Sequence, residues 1–112
     1  MVNTLKTLSP IDGSVYVERA LADTSMIRDA LERAEAARSA WKRIPLVERI
    51  AITRAAVAAF AAQENDIATE LCWMMGRPIR YAPGEVRGFV ERATYMADIA
   101  ETALADVRLP DK

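Results

Sequence analysis

Apolar residues along this chain fall into two regimes. Over the first 21 residues they form two short runs, Leu5 to Leu8 and Val15 to Leu21, each of strand length. Ser9-Pro10-Ile11-Asp12-Gly13-Ser14 lies between them. Pro presets its φ and Gly accepts positive φ, so this stretch turns the chain. The pattern predicts a β-hairpin over 5–21 with a loop longer than two residues. Two strands alone make a marginal sheet, so the hairpin needs something to pack on.

From Thr24 onward the spacing becomes helical. Ile27, Ala30, Leu31, Ala34 and Trp41 mark one face of a first helix from Thr24 to Arg43. Asp23 is placed to cap it, its carboxylate accepting from free N–H groups. Pro45 opens a second helix, about Leu46 to Ala62, where a missing N–H costs nothing. That helix is apolar nearly all round, reading Ala-Ala-Val-Ala-Ala-Phe-Ala-Ala from Ala55 to Ala62. Burial on more than one side is expected for such a helix. A third helix, about Glu64 to Met75, presents Ile67, Leu71 and Met74 and stops at Gly76, where Gly takes the left-handed conformation cheaply. A fourth is expected from near Gly84 to about Val107. Its stripe comprises Val86, Phe89, Val90, Ala93, Met96, Ala97, Ala100 and Leu104. Residues 108–112 read as a linker or tail. The expected fold is mainly α: an N-terminal hairpin, then about four helices over 24–107, in a single partial domain.

Composition supports this reading. Alanine, the best helix former, supplies 21 of 112 residues. Hydrophobic residues make up 52% of the chain, which argues against disorder. Fifteen basic and 16 acidic residues leave a net charge of −1, giving no electrostatic reason to expect nucleic acid or an anionic membrane as partner. No window approaches the ~20 apolar residues of a membrane span, and no signal core opens the chain. A soluble, cytoplasmic protein is the default expectation.

The missing residue types narrow the chemistry further. There is no histidine and one cysteine, Cys72. A zinc site of the usual Cys/His kind is not expected, and a Ser-His or Cys-His pair is excluded within one chain. Cys72 lies mid-helix between Leu71 and Trp73 and reads as a small hydrophobe. Met74 and Met75 read as packing filler, and Trp41 and Trp73 as packing anchors. Glu91 and Glu101 belong to solvated helix faces. Arg77, Arg80, Arg87 and Arg92 cluster around the loop before the fourth helix. They are expected to pair with Glu85 and Glu91 or face water, in preference to binding a phosphate or carboxylate. Gly13, Gly76, Gly84 and Gly88 match neither G-x-G-x-x-G nor a Walker pattern, so no nucleotide loop is read here.

The order of features resembles one family. Ser9 through Val15 resembles the N-P-x-T-G-E-x hairpin that opens aldehyde dehydrogenases. Ala34 through Trp41 resembles the A-x-x-A-f-x-x-W end of that family's first helix. Pro45-Leu46-Val47-Glu48-Arg49 resembles its P-x-x-x-R helix start. Leu71 through Pro78 resembles L-x-x-x-x-G-K-P, with Arg77 replacing Lys. Gly84-Glu85-Val86 begins a helix ending near Tyr95, as the family's E-V…Y-Y-A helices do. The resemblance covers about residues 5 to 107 and rests on shared order and spacing.

The resemblance implies an N-terminal segment of an NAD(P)-dependent aldehyde dehydrogenase. In that family a cysteine thiolate attacks the aldehyde, hydride passes to NAD(P)+, and a glutamate activates water to release the acid. An asparagine side chain and a backbone N–H hold the oxyanion. All of these groups, and the dinucleotide-binding sheet, lie downstream of such a segment. Cys72 matches the third-helix segment, and Val107 to Lys112 resembles the lead into the first long strand. This chain is therefore expected to carry no catalytic, cofactor-binding or metal-binding residue and to be inactive alone, as a truncated or proteolysed piece. NAD or NADP would belong to the full-length parent. The segment would form a helical layer on the cofactor domain, with its last helix bordering the substrate entrance. Glu85, Gly88, Phe89 and Arg92 are the expected lining. Expected partners are the remainder of the parent chain and, for the isolated chain, further copies of itself in a homodimer or higher assembly, through Phe60, Phe89 and Met96. The alternative reading is a free-standing helical interaction or oligomerisation module derived from the family.

Overall fold

The computed structural model describes residues 3–110. A two-stranded antiparallel hairpin, β1 (Thr4–Leu8) and β2 (Val15–Ala20), precedes helices α1 (Thr24–Arg43), α2 (Leu46–Ala61), α3 (Glu64–Met75), α4 (Pro83–Asp98) and the short α5 (Ala100–Ala103). The chain is mainly α, as the periodicity predicts.

Side-chain and backbone hydrogen bonds together make the hairpin loop. Asp12 Oδ1 accepts from the Ser14 hydroxyl at 2.7 Å and the Ser14 N–H at 3.0 Å. These bonds, the hydroxyl first, hold the Asp12 carboxyl below its ordinary pKa of 3.8. Gly13 turns at φ +75°, and its N–H donates to Ser9 O at 2.8 Å. In the ladder Thr7 faces Val17 and Leu8 faces Val15. Tyr16 is thus an extra residue on β2, a bulge of the kind that re-aims a side chain. It stacks on Trp73 of α3, centroids 6.3 Å apart and planes 4° from parallel. Pro10 meanwhile lies against Gly76 at the end of α3. These contacts seat the hairpin on the helices.

Local signals set the helix ends. Asp23 Oδ1 accepts from Met26 N–H at 2.8 Å. Gly76 ends α3 at φ +73°, its N–H reaching Cys72 O at 3.0 Å. Pro45 sits one residue before α2, where its carbonyl accepts from Glu48 and Arg49.

The structure corrects two expectations about the helices. The all-round apolar pattern of α2 predicts burial on more than one side, yet Val57 is its one buried residue. It packs on α4 along a single line, and its remaining apolar surface faces outward. The stripe of the fourth helix predicts a run to Val107, but the helix breaks at Ile99 and α5 ends at Ala103. Beyond α5 the apolar stripe leaves the packed part of the chain, and Leu104 and Val107 are 65% and 87% exposed.

α4 is the hub, with α2 and α3 both packed against it. The buried apolar residues are small: Val57, Ala68, Ala82, Val86 and Ala97. α1 has no buried residue. A compact chain of this length has a radius of gyration of roughly 13 Å. Here it is 19.7 Å, over extents of 66 × 40 × 28 Å. The elements form a layer with most large apolar side chains on its outside.

Candidate functional site

The residues singled out for an entrance lie on α4. At about 100° per residue, Glu85, Gly88 and Arg92 fall on one face, away from the Val86–Ala97 line that meets α2 and α3. Glu85 is exposed and pairs with Arg77 at 2.7 Å. The Arg92 guanidinium lies beside Gly88, where an added Cβ would make ordinary contact with its terminal nitrogens at 3.6 Å. Arg92 joins Glu91, Tyr95 and Met96 around an open groove of about 380 Å³. Phe89 stands apart from these three. It sits at the edge of the packed face, its ring 4.5 Å from that of Phe60 on α2. Glu85, Gly88 and Arg92 thus share a surface, while Phe89 is half committed to the α2–α4 contact.

The arginine cluster resolves into separate partnerships. Arg77 takes Glu85, as expected, and Arg87 approaches Glu64 of α3 at 3.5 Å, in place of Glu91. Arg80 lies over the ring of Tyr81, 4.7 Å from its centroid. No common anion cradle forms from these four.

Cys72 is a free thiol, half-buried on α3. Trp73 packs as an anchor against Tyr16. Trp41 is 45% exposed at the end of α1 and forms one wall of a second groove, about 410 Å³, between α2 and the end of α4. Leu46, Ile50, Met96 and Leu104 continue this almost wholly apolar wall, and Arg49 stands among them. The Arg49 Nε is shielded from solvent and has no hydrogen-bond partner among the described residues. Sequence reading places Arg49 only as a motif position. Its signal is a cation one turn from Leu46 and next to Ile50, which helical periodicity alone does not rank.

Among the described residues no helix is long and apolar enough to cross a membrane, and no cluster of three or more His, Cys, Asp or Glu side chains is placed to hold a metal.

No curated protein matches the chain. The family model described as "Aldehyde dehydrogenase family" matches residues 2–111, nearly the whole chain and every element described above. This chain belongs to the aldehyde dehydrogenase family.

Proposed function

We propose that this chain is the N-terminal helical layer of an NAD(P)-dependent aldehyde dehydrogenase. The full parent oxidises an aldehyde to a carboxylic acid, and this layer is not catalytic alone. The observation that carries the reading is the uncovered apolar surface. Trp41, Ile52, Phe60, Met96 and Leu104 are all exposed, while the buried residues are too few and too small for a closed core. Soluble proteins seldom leave so much apolar surface uncovered, so a further layer belongs on it. The remainder of the parent chain is that layer.

The dinucleotide site belongs to the same remainder. Gly13 and Gly76 are spent on a turn and a helix stop, and the other two glycines lie on α4. None forms a phosphate-cradling loop. The chain's own part is to support the site and to border it along α4, where Glu85, Gly88, Phe89 and Arg92 line the approach of the aldehyde.

The test compares this chain with its full-length parent. The chain alone should reduce neither NAD+ nor NADP+ with any aldehyde, while the parent should turn over. In the parent, Phe89→Ala and Arg92→Ala should change kcat/KM by different factors for small and bulky aldehydes, with cofactor affinity unchanged. Equal factors for all aldehydes would remove α4 from the entrance. Turnover by the chain alone, lost in Cys72→Ala, would overturn the whole reading.

A further inference from the structure

Asp12 is the one Asp or Asn of the sequence that is followed by glycine. That dipeptide is open to a slow internal reaction. The glycine nitrogen attacks the aspartate side-chain carboxyl, because glycine has no Cβ to obstruct the approach. Asp12 and Gly13 are both exposed at the hairpin tip, and a Cβ added at Gly13 would meet nothing within 4 Å. Space and solvent therefore permit the reaction here. The hydrogen bonds of the loop oppose it. The Gly13 N–H donates to Ser9 O at 2.8 Å, which turns the nitrogen's proton away from the side chain. Asp12 Oδ1 is occupied by the Ser14 hydroxyl at 2.7 Å and the Ser14 N–H at 3.0 Å. Those bonds favour the carboxylate, whereas ring closure needs a protonated carboxyl with a hydroxyl to lose.

We propose that Asp12–Gly13 is an isomerisation site that the hairpin loop holds closed, and that its conversion to isoaspartate unseats the hairpin from α3. In the first step the Gly13 nitrogen bonds to Asp12 Cγ and the Cγ–OH bond breaks. The amide proton and the hydroxyl depart as water, leaving a five-membered succinimide. Water then adds back. Opening at Cγ restores aspartate. Opening at the Asp12 backbone carbonyl leaves the chain running through Cβ and Cγ, one carbon longer, with the former carbonyl carbon as a free carboxylate. Nothing is oxidised or reduced, and water is the sole co-reactant. The added carbon falls between Ser9 O and its donor, the Gly13 N–H, in the loop that leads to the Leu8–Val15 pairing. The same loop places Pro10 against Gly76 and runs into Tyr16, which stacks on Trp73. A longer tip moves the acceptor away from Ser14, and with it the geometry that seats Pro10 and Tyr16.

Ageing the chain in neutral buffer, native and in guanidinium chloride, tests this. Electron-based fragmentation in a mass spectrometer tells isoaspartate from aspartate at equal mass. In the denatured chain isoaspartate should appear first at position 12. In the native chain it should form there roughly tenfold more slowly, because the ordered loop withholds the near-attack arrangement. Ser14→Ala removes the hydroxyl bond and should raise the native rate severalfold, while Ser14→Thr stays near the original. Equal rates in the native and denatured chain would overturn the protection, and that comparison stands whether or not Ser14→Ala folds. An unchanged rate in a Ser14→Ala chain that still melts cooperatively would do the same. Isoaspartate formed sooner at another residue of the denatured chain would remove the site itself. The two isomers of the aged native chain, separated by chromatography, test the consequence. Trypsin should cut the isoaspartate form after Lys6 and Arg19 faster than the original, and equal cleavage would show that the hairpin stays seated.

Discussion

Phe60 on α2 and Phe89 on α4 meet with ring centroids 4.5 Å apart and planes tilted by 56°. The pair spans the α2–α4 seam, and both rings remain about two-fifths exposed, at 37% and 40%. It therefore closes the edge of the small core and also forms part of the outward apolar face. Tilted aromatic pairs contribute ~0.5–1.5 kcal/mol beyond their buried area. A double-mutant cycle of Phe60→Ala and Phe89→Ala, read by urea denaturation, should return a coupling in that range. A coupling of zero would mean that the rings share only an outside partner. Phe89→Glu, by the same geometry, should reduce stability as well as self-association.

Gly76 should resist substitution for two separable reasons. Its φ of +73° is left-handed, which costs an L-residue ~1–2 kcal/mol. An added Cβ would also lie 3.1 Å from Pro10 Cγ on the hairpin. Gly76→Ala should lower the melting temperature, and adding Pro10→Ala should recover the contact part only. A Gly76→Ala chain as stable as the original would contradict both reasons, and a Pro10→Ala background that recovers nothing would show that the hairpin does not sit against α3.

The acid behaviour of α1 follows from its cap. The Met26 N–H first, and then the Ser25 hydroxyl, hold the Asp23 carboxyl below its ordinary 3.8. A folded pKa that is lowered means stabilisation is complete above the unfolded value and is lost as pH falls through the folded one. The first turn of α1 should therefore hold from neutral pH down to the ordinary carboxylate range and fray below it. Amide exchange at Ser25 and Met26 reports this. Asp23→Asn keeps an acceptor without a titrating charge and should flatten the acid response there. An unchanged response would assign it to another group.

Cys72 is half-buried on the same helix as the exposed Trp73 and Met75. A thiol reagent should label it more slowly in the native chain than in denaturant, without complete protection. Native labelling as fast as the denatured rate would contradict its packing.

The elements are legible in the sequence where a single residue carries a strong local preference. Asp23, Gly13 and Gly76 fix turns and helix ends through their own bonds and φ angles, and α1 and α3 fall where those residues put them. The Tyr16 bulge is not legible, because β2 reads as a plain strand and the extra residue packs on Trp73, far along the chain. The burial of α2 escapes sequence reading for a related reason. Its composition says that every side seeks cover, and the chain supplies cover for one. The helix break at Ile99 is not legible either, because the apolar stripe continues through Ala100 to Leu104 without a Gly or Pro to mark it. On α4 three of the entrance candidates share a face as helical spacing implies, but spacing cannot divide Phe89, held by Phe60, from Arg92, which stands free of the core.

What distinguishes this layer is an apolar face that its own residues leave uncovered. Small-angle scattering across a dilution series of the isolated chain probes that face, because one curve returns both mass and radius of gyration. The mass should rise above 12.4 kDa with concentration, first to that of a two-fold dimer. A mass fixed at the monomer up to high micromolar concentration, with a radius near the ~13 Å of a compact chain, would contradict an uncovered face.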